Sequence, residues 1–371
     1  MELARREWDV CALCAFTQDF SEAKTLAETL KSVGARVRTR TSVGAYTTTS
    51  FQDGGIRSLV IEPSQRRRIP TPQDVSFFMK AFQETLAHVR PRLVLTYGGH
   101  GVGESILREC RSQGIKTVVL LHNLAYNSRS YFNNVDLVCV PSQFAADHYR
   151  RKLSISSSVV PPLIDLASVD EESFSKSESE REYVLFFNPE IGKGLGYFIG
   201  IARAVWERRQ DVKFLLVEGR YGRRALYSLG KDALRNVGNI DFVANTPRVS
   251  RLFERAKITL FPSLFQETFG RVAAESLNVG VPVVVSDRGA LPETARDGGC
   301  VLSIPEKYQP DFGPIPTDAE VEPWVDALLR LWDDDAFYRE TQRKGWAQAT
   351  RWRYDAVADE YENLFIKLTH D

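Results

Sequence analysis

The chain has 371 residues, 43% of them apolar and 26% charged, with Lys and Arg matched by Asp and Glu at 48 each. That composition excludes a disordered, collagen-like or disulfide-dense chain, and the length is generous for one core, so two domains are expected. No stretch approaches the roughly 20 apolar residues of a membrane span, the opening MELARREWDV lacks an apolar core of signal-peptide length, and zero net charge gives no reason to expect a nucleic-acid partner.

The charge is unevenly spread. Residues 1–162 hold 21 Lys and Arg against 14 Asp and Glu, and the remainder 27 against 34. A basic front half suits an anionic acceptor or membrane surface, or it is an imbalance on solvated faces. Five scattered cysteines suit reduced thiols in a cytoplasmic protein, with peripheral contact at the inner membrane face where the acceptor is held there. The pair in CALC (Cys11, Cys14) sits in an apolar strand-like run with no second pair, so buried thiols are expected.

In chain order, DVCALCAF, SLVIEP, RLVLTY, KTVVLLHN and DLVCVPS read as strands of the front half. SEAKTLAETLKSVG, DVSFFMKAFQETLAHVR and GESILRECRSQG read as amphipathic helices between them. SQRRRIP carries Arg66, Arg67 and Arg68, either a solvated loop or a contact for a phosphorylated or membrane-held acceptor. YGGHGVGES has glycines at 99, 101 and 103 that miss the dinucleotide-binding spacing; it reads as a loop lining a cleft, with Gly99 and His100 on the acceptor side. His122 ends the run KTVVLLHN at the carboxyl end of a strand.

A Ser-rich acidic stretch at residues 165–182 marks a linker. The division is 1–165 and 166–351, with the helix 352–371 packing back on the first domain. Beyond the linker, YVLFFNP, VKFLLVEG, NIDFVAN, ITLFPS and PVVVSD repeat the strand rhythm. Continuous apolar strands separated by helices indicate α/β domains with doubly wound parallel sheets. Ligands of such sheets sit beyond the carboxyl ends of the strands, so two facing domains would enclose a cleft. WDDDAF, with Asp333 and Asp335, lies between helices and reads as helix capping. Trp346, Trp352, Tyr354 and Tyr361 in the tail read as packing residues.

The chemistry concentrates in QETFGRVAAES, residues 266–276. A helix opening at Thr268–Arg271 would point its first N–H groups at a phosphate, and Gly270 would admit close approach. At 1.5 Å per residue, Glu267 and Glu275 would stand roughly 12 Å apart along the axis, one at each end of a diphosphate-linked ligand.

The pattern Glu-x-Phe-Gly-x4-Glu-x4-Gly-x-Pro-Val-Val-x-Ser, followed by Gly289 and Glu293, resembles the nucleotide-sugar site of the retaining family 4 glycosyltransferases. The resemblance implies a GT-B fold of two Rossmann-like domains and a metal-independent hexosyltransferase with no cofactor beyond its donor substrate, a UDP- or GDP-sugar. It places Glu267 on the sugar hydroxyls, Glu275 on the ribose, and Thr268, Phe269, Gly270 and Arg271 around the sugar and diphosphate. FFNPEIGKG resembles the family's diphosphate loop, with Gly192 and Lys193 in place and Asn188 where many members carry Arg; Arg271 and Arg220 are candidates for that charge. The family often has a His near the reacting sugar, which His122 matches. The first-strand loop, TQDFSEAK, replaces the usual Gly-Gly loop. The partners implied are a nucleotide-sugar donor and a hydroxyl acceptor (glycan, lipid-linked sugar or small molecule). A non-catalytic nucleotide-sugar-binding subunit, and an epimerase or phosphorylase on the same fold, stand as alternatives.

Overall fold

The computed structural model describes residues 2–15, 26–32, 34–63, 70–97, 101–164, 181–230, 235, 237–246, 248–309, 311–312 and 315–370. The chain forms two compact units, one of Met1–Leu121, Ser128–Cys139 and Ala358–Asp371, the other of His122–Asn127 and Val140–Val357. Both are α/β. Among the described residues no helix is long and apolar enough to cross a membrane.

The first unit holds helices α1 (Glu2–Arg5), α2 (Leu26–Ser32), α3 (Pro72–Val89) and α4 (Val102–Ser112). Its first sheet runs β1-β4-β3-β2 from β1 (Cys11–Ala15), β2 (Arg36–Val43), β3 (Tyr46–Asp53) and β4 (Ile56–Pro63). β1 and β4 are parallel, whereas β4, β3 and β2 form an antiparallel meander. The sequence reading passes over β2 and β3. Their signal is Asp53-Gly54-Gly55: both glycines have positive φ, 51° and 83°, as a two-residue hairpin link between twisted strands requires. Cys11 and Cys14, expected to be buried, are half-buried and exposed. Three residues apart in a strand, they point to opposite faces, so one sheet face cannot bury both.

The second sheet of this unit includes β5 (Leu93–Thr96), β6 (Lys116–Leu120) and β7 (Leu137–Val140), all parallel. α3 begins on a reciprocal cap: Thr71 N–H donates to Asp74 at 2.7 Å, and Asp74 N–H donates to the Thr71 hydroxyl at 3.2 Å. The last helix, α12 (Tyr354–His370), adds Phe365 to the cluster of Val118, Leu120 and Cys139. Glu362 accepts from Arg6 at 2.7 Å and from the Trp8 indole at 2.8 Å, fixing the amino-terminal helix on the carboxyl-terminal one.

The second unit starts with α5 (Gln143–Leu153) and the short β8 (Ser158–Val159). Its six-stranded sheet comprises β9 (Tyr183–Phe187), β10 (Lys213–Val217), β11 (Ile240–Val243), β12 (Ala256–Phe261), β13 (Val283–Ser286) and β14 (Gly299–Leu302). All are parallel, in the order β11-β10-β9-β12-β13-β14. Helices α6 (Leu195–Arg208), α7 (Ser250–Glu254), α8 (Arg271–Asn278), α9 (Leu291–Ala295), α10 (Asp318–Asp333) and α11 (Asp335–Gln348) complete it. The central strands carry Val184, Leu185, Phe186, Ile258 and Val284, all fully buried, because helices cover both faces. The strand order reverses between β9 and β12, so the loops leaving their carboxyl ends diverge there and open a crevice.

Phe365→Ala is expected to cost the first unit about 3–5 kcal/mol, the usual loss for a buried Phe. Hydrogen exchange in mild urea checks this: protection should fall at residues 116–120 and hold at residues 183–187.

Candidate functional site

Two loops leave the sheet at this reversal point, one after β9 and one after β12. Their backbones touch. The Gly192 carbonyl accepts from the N–H groups of Leu264 at 2.9 Å and Phe265 at 3.1 Å. Gly194 has φ 85°, and a Cβ there would lie 1.9 Å from the Pro262 carbonyl oxygen, so this position requires glycine.

That contact sets Lys193 against Glu267. The ammonium lies 2.6 Å from Glu267 Oε1, which also accepts from the Ser263 hydroxyl at 2.8 Å. The side chains are 25% and 13% exposed, and the rings of Phe261 and Phe265 stand 5.7 and 5.6 Å from Nζ. The loop bearing Glu267 is clamped from behind: its carbonyl accepts from Ala290 N–H at 2.7 Å. Gly289 has φ 64°, and a Cβ there would come within 2.2 Å of the Glu267 carbonyl oxygen. Glu293 accepts from Gln143 N–H at 3.0 Å and Phe144 N–H at 3.1 Å, capping the start of α5. Sequence reasoning saw Gly289 and Glu293 only as part of a pattern and missed Ser263, whose single hydroxyl carries no periodic or spacing signal.

α8 begins at Arg271 and not at Thr268. Gly270 is its N-cap in left-handed geometry, with no side chain capping it. Glu267 therefore precedes the helix, Glu275 is little more than one turn into it, and the 12 Å axial spacing does not apply. Glu275 is 13% exposed and accepts from Arg271 Nε at 2.7 Å. Burial raises its carboxyl pKa above the ordinary value, with the Arg271 charge acting the other way. Phe269 packs edge-on against Trp352, ring centroids 5.8 Å apart. The Thr268 hydroxyl donates to the His122 carbonyl at 2.9 Å. His122 is an exposed residue, but partial burial of its ring, with the neighbouring Arg271 charge, lowers its pKa below the ordinary value.

Asn188 follows β9 directly with φ 58°, a conformation Asn tolerates better than most residues. Its Oδ1 accepts from Tyr221 N–H at 3.0 Å, in the loop after β10. The structure thus brings Asn188, Gly192, Lys193, Glu267, Thr268, Phe269, Gly270, Arg271, Glu275 and His122 into the second unit. Gly99, His100, Arg66, Arg67 and Arg68, and the loop TQDFSEAK, lie outside the described residues. In WDDDAF it is the middle Asp334 that caps α11, accepting from Phe337 N–H at 2.9 Å, while Asp333 pairs with Arg209 at 2.8 Å. Among the described residues no three His, Cys, Asp or Glu side chains group as metal donors.

Residues 183–334 match the model of the family described as glycosyl transferases group 1. A D-inositol 3-phosphate glycosyltransferase of Paenarthrobacter aurescens is 29% identical over 189 residues, 47% of this chain and 43% of that protein. The chain spans less than half the length of the curated relatives it matches. A sucrose-phosphate synthase from Thermosynechococcus elongatus has a TM-score of 0.69 at 17% identity, over 99% of this chain and 90% of its own. The Anabaena protein HepE in complex with UDP-glucose has a TM-score of 0.65 at 14% identity, over 96% and 99%. The chain therefore has the GT-B fold, and residues 183–334 within it are similar to the glycosyl transferases group 1 family.

Proposed function

We propose that this chain is a retaining glycosyltransferase of the family 4 type, moving a sugar from a nucleotide-sugar donor to an acceptor hydroxyl in polysaccharide, glycolipid or glycoconjugate synthesis. The observation that carries the reading is the Lys193–Glu267 pair at the strand-order reversal, beside the uncapped start of α8. Such a place suits a diphosphate: an ammonium and unpaired helical N–H groups converge where the sheet opens. HepE, solved with UDP-glucose, supports a UDP-sugar as the first donor to test.

In this reading the bond between the sugar's anomeric carbon and the diphosphate oxygen breaks as the acceptor oxygen bonds to that carbon on the same face. The acceptor's proton passes to the departing phosphate oxygen, so no side-chain base is needed. Negative charge grows on the diphosphate, where Lys193 and the α8 amides stabilise it. Glu267 holds Lys193 in place before the donor arrives and orients sugar hydroxyls; Glu275 holds the ribose. Charge on the leaving group is met by these groups, without a metal ion.

Lys193→Ala is expected to lower kcat about 10²–10³-fold, as loss of one electrostatic donor does, while the donor's Kd changes less. Steady-state kinetics at saturating donor, beside titration calorimetry, separates the two. A wild-type protein that binds the donor but neither transfers nor slowly hydrolyses it is a binding subunit, and the catalytic reading fails. Transfer should persist in EDTA; a loss restored by manganese would overturn the metal-free mechanism.

The lowered pKa of His122 makes a further outcome testable. Its folded-state value lies below the ordinary value of about 6.5, so the unfolded chain binds that proton more tightly. The stability of the neutral ring is complete above about pH 6.5 and is lost as pH falls through the lowered value. Thermal melting between pH 5 and 7.5 should show a smaller acid-side loss for His122→Gln than for the wild type.

A further inference from the structure

We propose that Asn188 is a positioning residue that locks the loop after β10, so that Arg220 meets the diphosphate of the donor. The inference rests on the proposed function and deepens it by assigning one residue that meets the same phosphates and one that positions it.

The lock is built from both sides. Asn188 Oδ1 accepts from Tyr221 N–H at 3.0 Å, and Asn188 N–H donates to the Val217 carbonyl at 2.9 Å. Gly219 lets the loop come this close: a Cβ there would stand 2.9 Å from Asn188 Oδ1. The loop closes on itself through Gly219 N–H to the Tyr221 carbonyl at 3.0 Å and Arg223 N–H to Glu218 Oε1 at 2.7 Å. A short loop held at three points, leaving a strand end that Asn188 also holds, gives its side chains fixed starting positions.

That loop, at the carboxyl edge of the second unit's sheet, carries Arg220, Arg223 and Arg224, all exposed. Arg223 is turned aside, its guanidinium 5.2 Å from the Phe242 ring centroid on the next strand. The carbonyl carbon of Arg220 is bonded to the very nitrogen that Asn188 holds, so its side chain begins beside the loop that follows β9 and carries Lys193. β9 and β10 are hydrogen-bonded neighbours, about 4.8 Å apart. A guanidinium starting there spans that distance and offers a planar fork suited to phosphate oxygens. Lys193 then contributes a point charge from one loop and Arg220 a fork from the neighbouring loop, with Asn188 setting their spacing.

The test is titration calorimetry with UDP and GDP, each compared with its nucleoside, on wild type, Arg220→Ala, Asn188→Gly and the double variant. Arg220 is exposed, and glycine keeps the left-handed backbone at 188, so both variants should fold; melting curves verify it. Each single variant should weaken the diphosphate that wild type binds by about tenfold or more, the worth of a hydrogen bond to a charged group, and leave the nucleoside unchanged. Because Asn188 acts through Arg220, the double variant should bind about as weakly as either single one. Arg220→Lys should restore part of the loss. Diphosphate binding by Arg220→Ala equal to wild type, or losses that multiply in the double variant, would overturn the inference and leave the proposed function standing. A wild type that binds neither diphosphate would remove both.

Discussion

The Lys193–Glu267 ion pair joins loops 74 residues apart in sequence, and the rest of the site is arranged around its cost. Two charges held mostly out of water lose hydration, and a pair of this kind persists only where further polar contacts make up for it. Here the Ser263 hydroxyl takes part of the Glu267 charge, and two aromatic rings stand within about 6 Å of the ammonium. The pair therefore fixes a cation and an anion at the open end of the sheet before any ligand arrives. A phosphate entering there meets an ammonium already oriented, which removes part of the entropy cost of binding.

The backbone makes that geometry rigid. Gly194 and Gly289 occupy positions where a side chain would collide with a carbonyl, at Pro262 and Glu267 respectively. Each close approach presses one loop onto another, so the β9 loop, the β12 loop and the segment leading into α9 behave as one body. Behind them, Thr294 donates its hydroxyl to the Phe269 carbonyl, and Trp352 closes over the Phe269 ring. The glycines and the Phe of the motif thus act as spacing elements for the charged residues around them.

Much of this was legible in the sequence. Five strands of the second unit and the loop that carries Lys193 follow from apolar runs and glycine placement, because these patterns repeat over enough residues to outweigh chance. The antiparallel pair β2 and β3 was passed over because its residues are exposed on β2 and mixed on β3, so no apolar alternation marks them. The start of α8 was misplaced by three residues, since the left-handed turn at Gly270 leaves no trace in helix periodicity.

Sequence alone determined the α/β alternation and the identity of the charged groups, both of which depend on local composition and short-range pattern. Tertiary structure decided which charges meet. Lys193 and Glu267, assigned separately to diphosphate and sugar, are bonded to each other; Arg271 is committed to Glu275; Glu293 caps a helix 150 residues earlier. Asn188, whose expected feature was a missing charge, holds the backbone of the next loop. Partners of this kind are chosen by strand order and by close backbone approaches that only glycine allows. Neither is encoded in the spacing of residues along the chain, because the order β11-β10-β9-β12-β13-β14 brings together loops that the sequence keeps far apart.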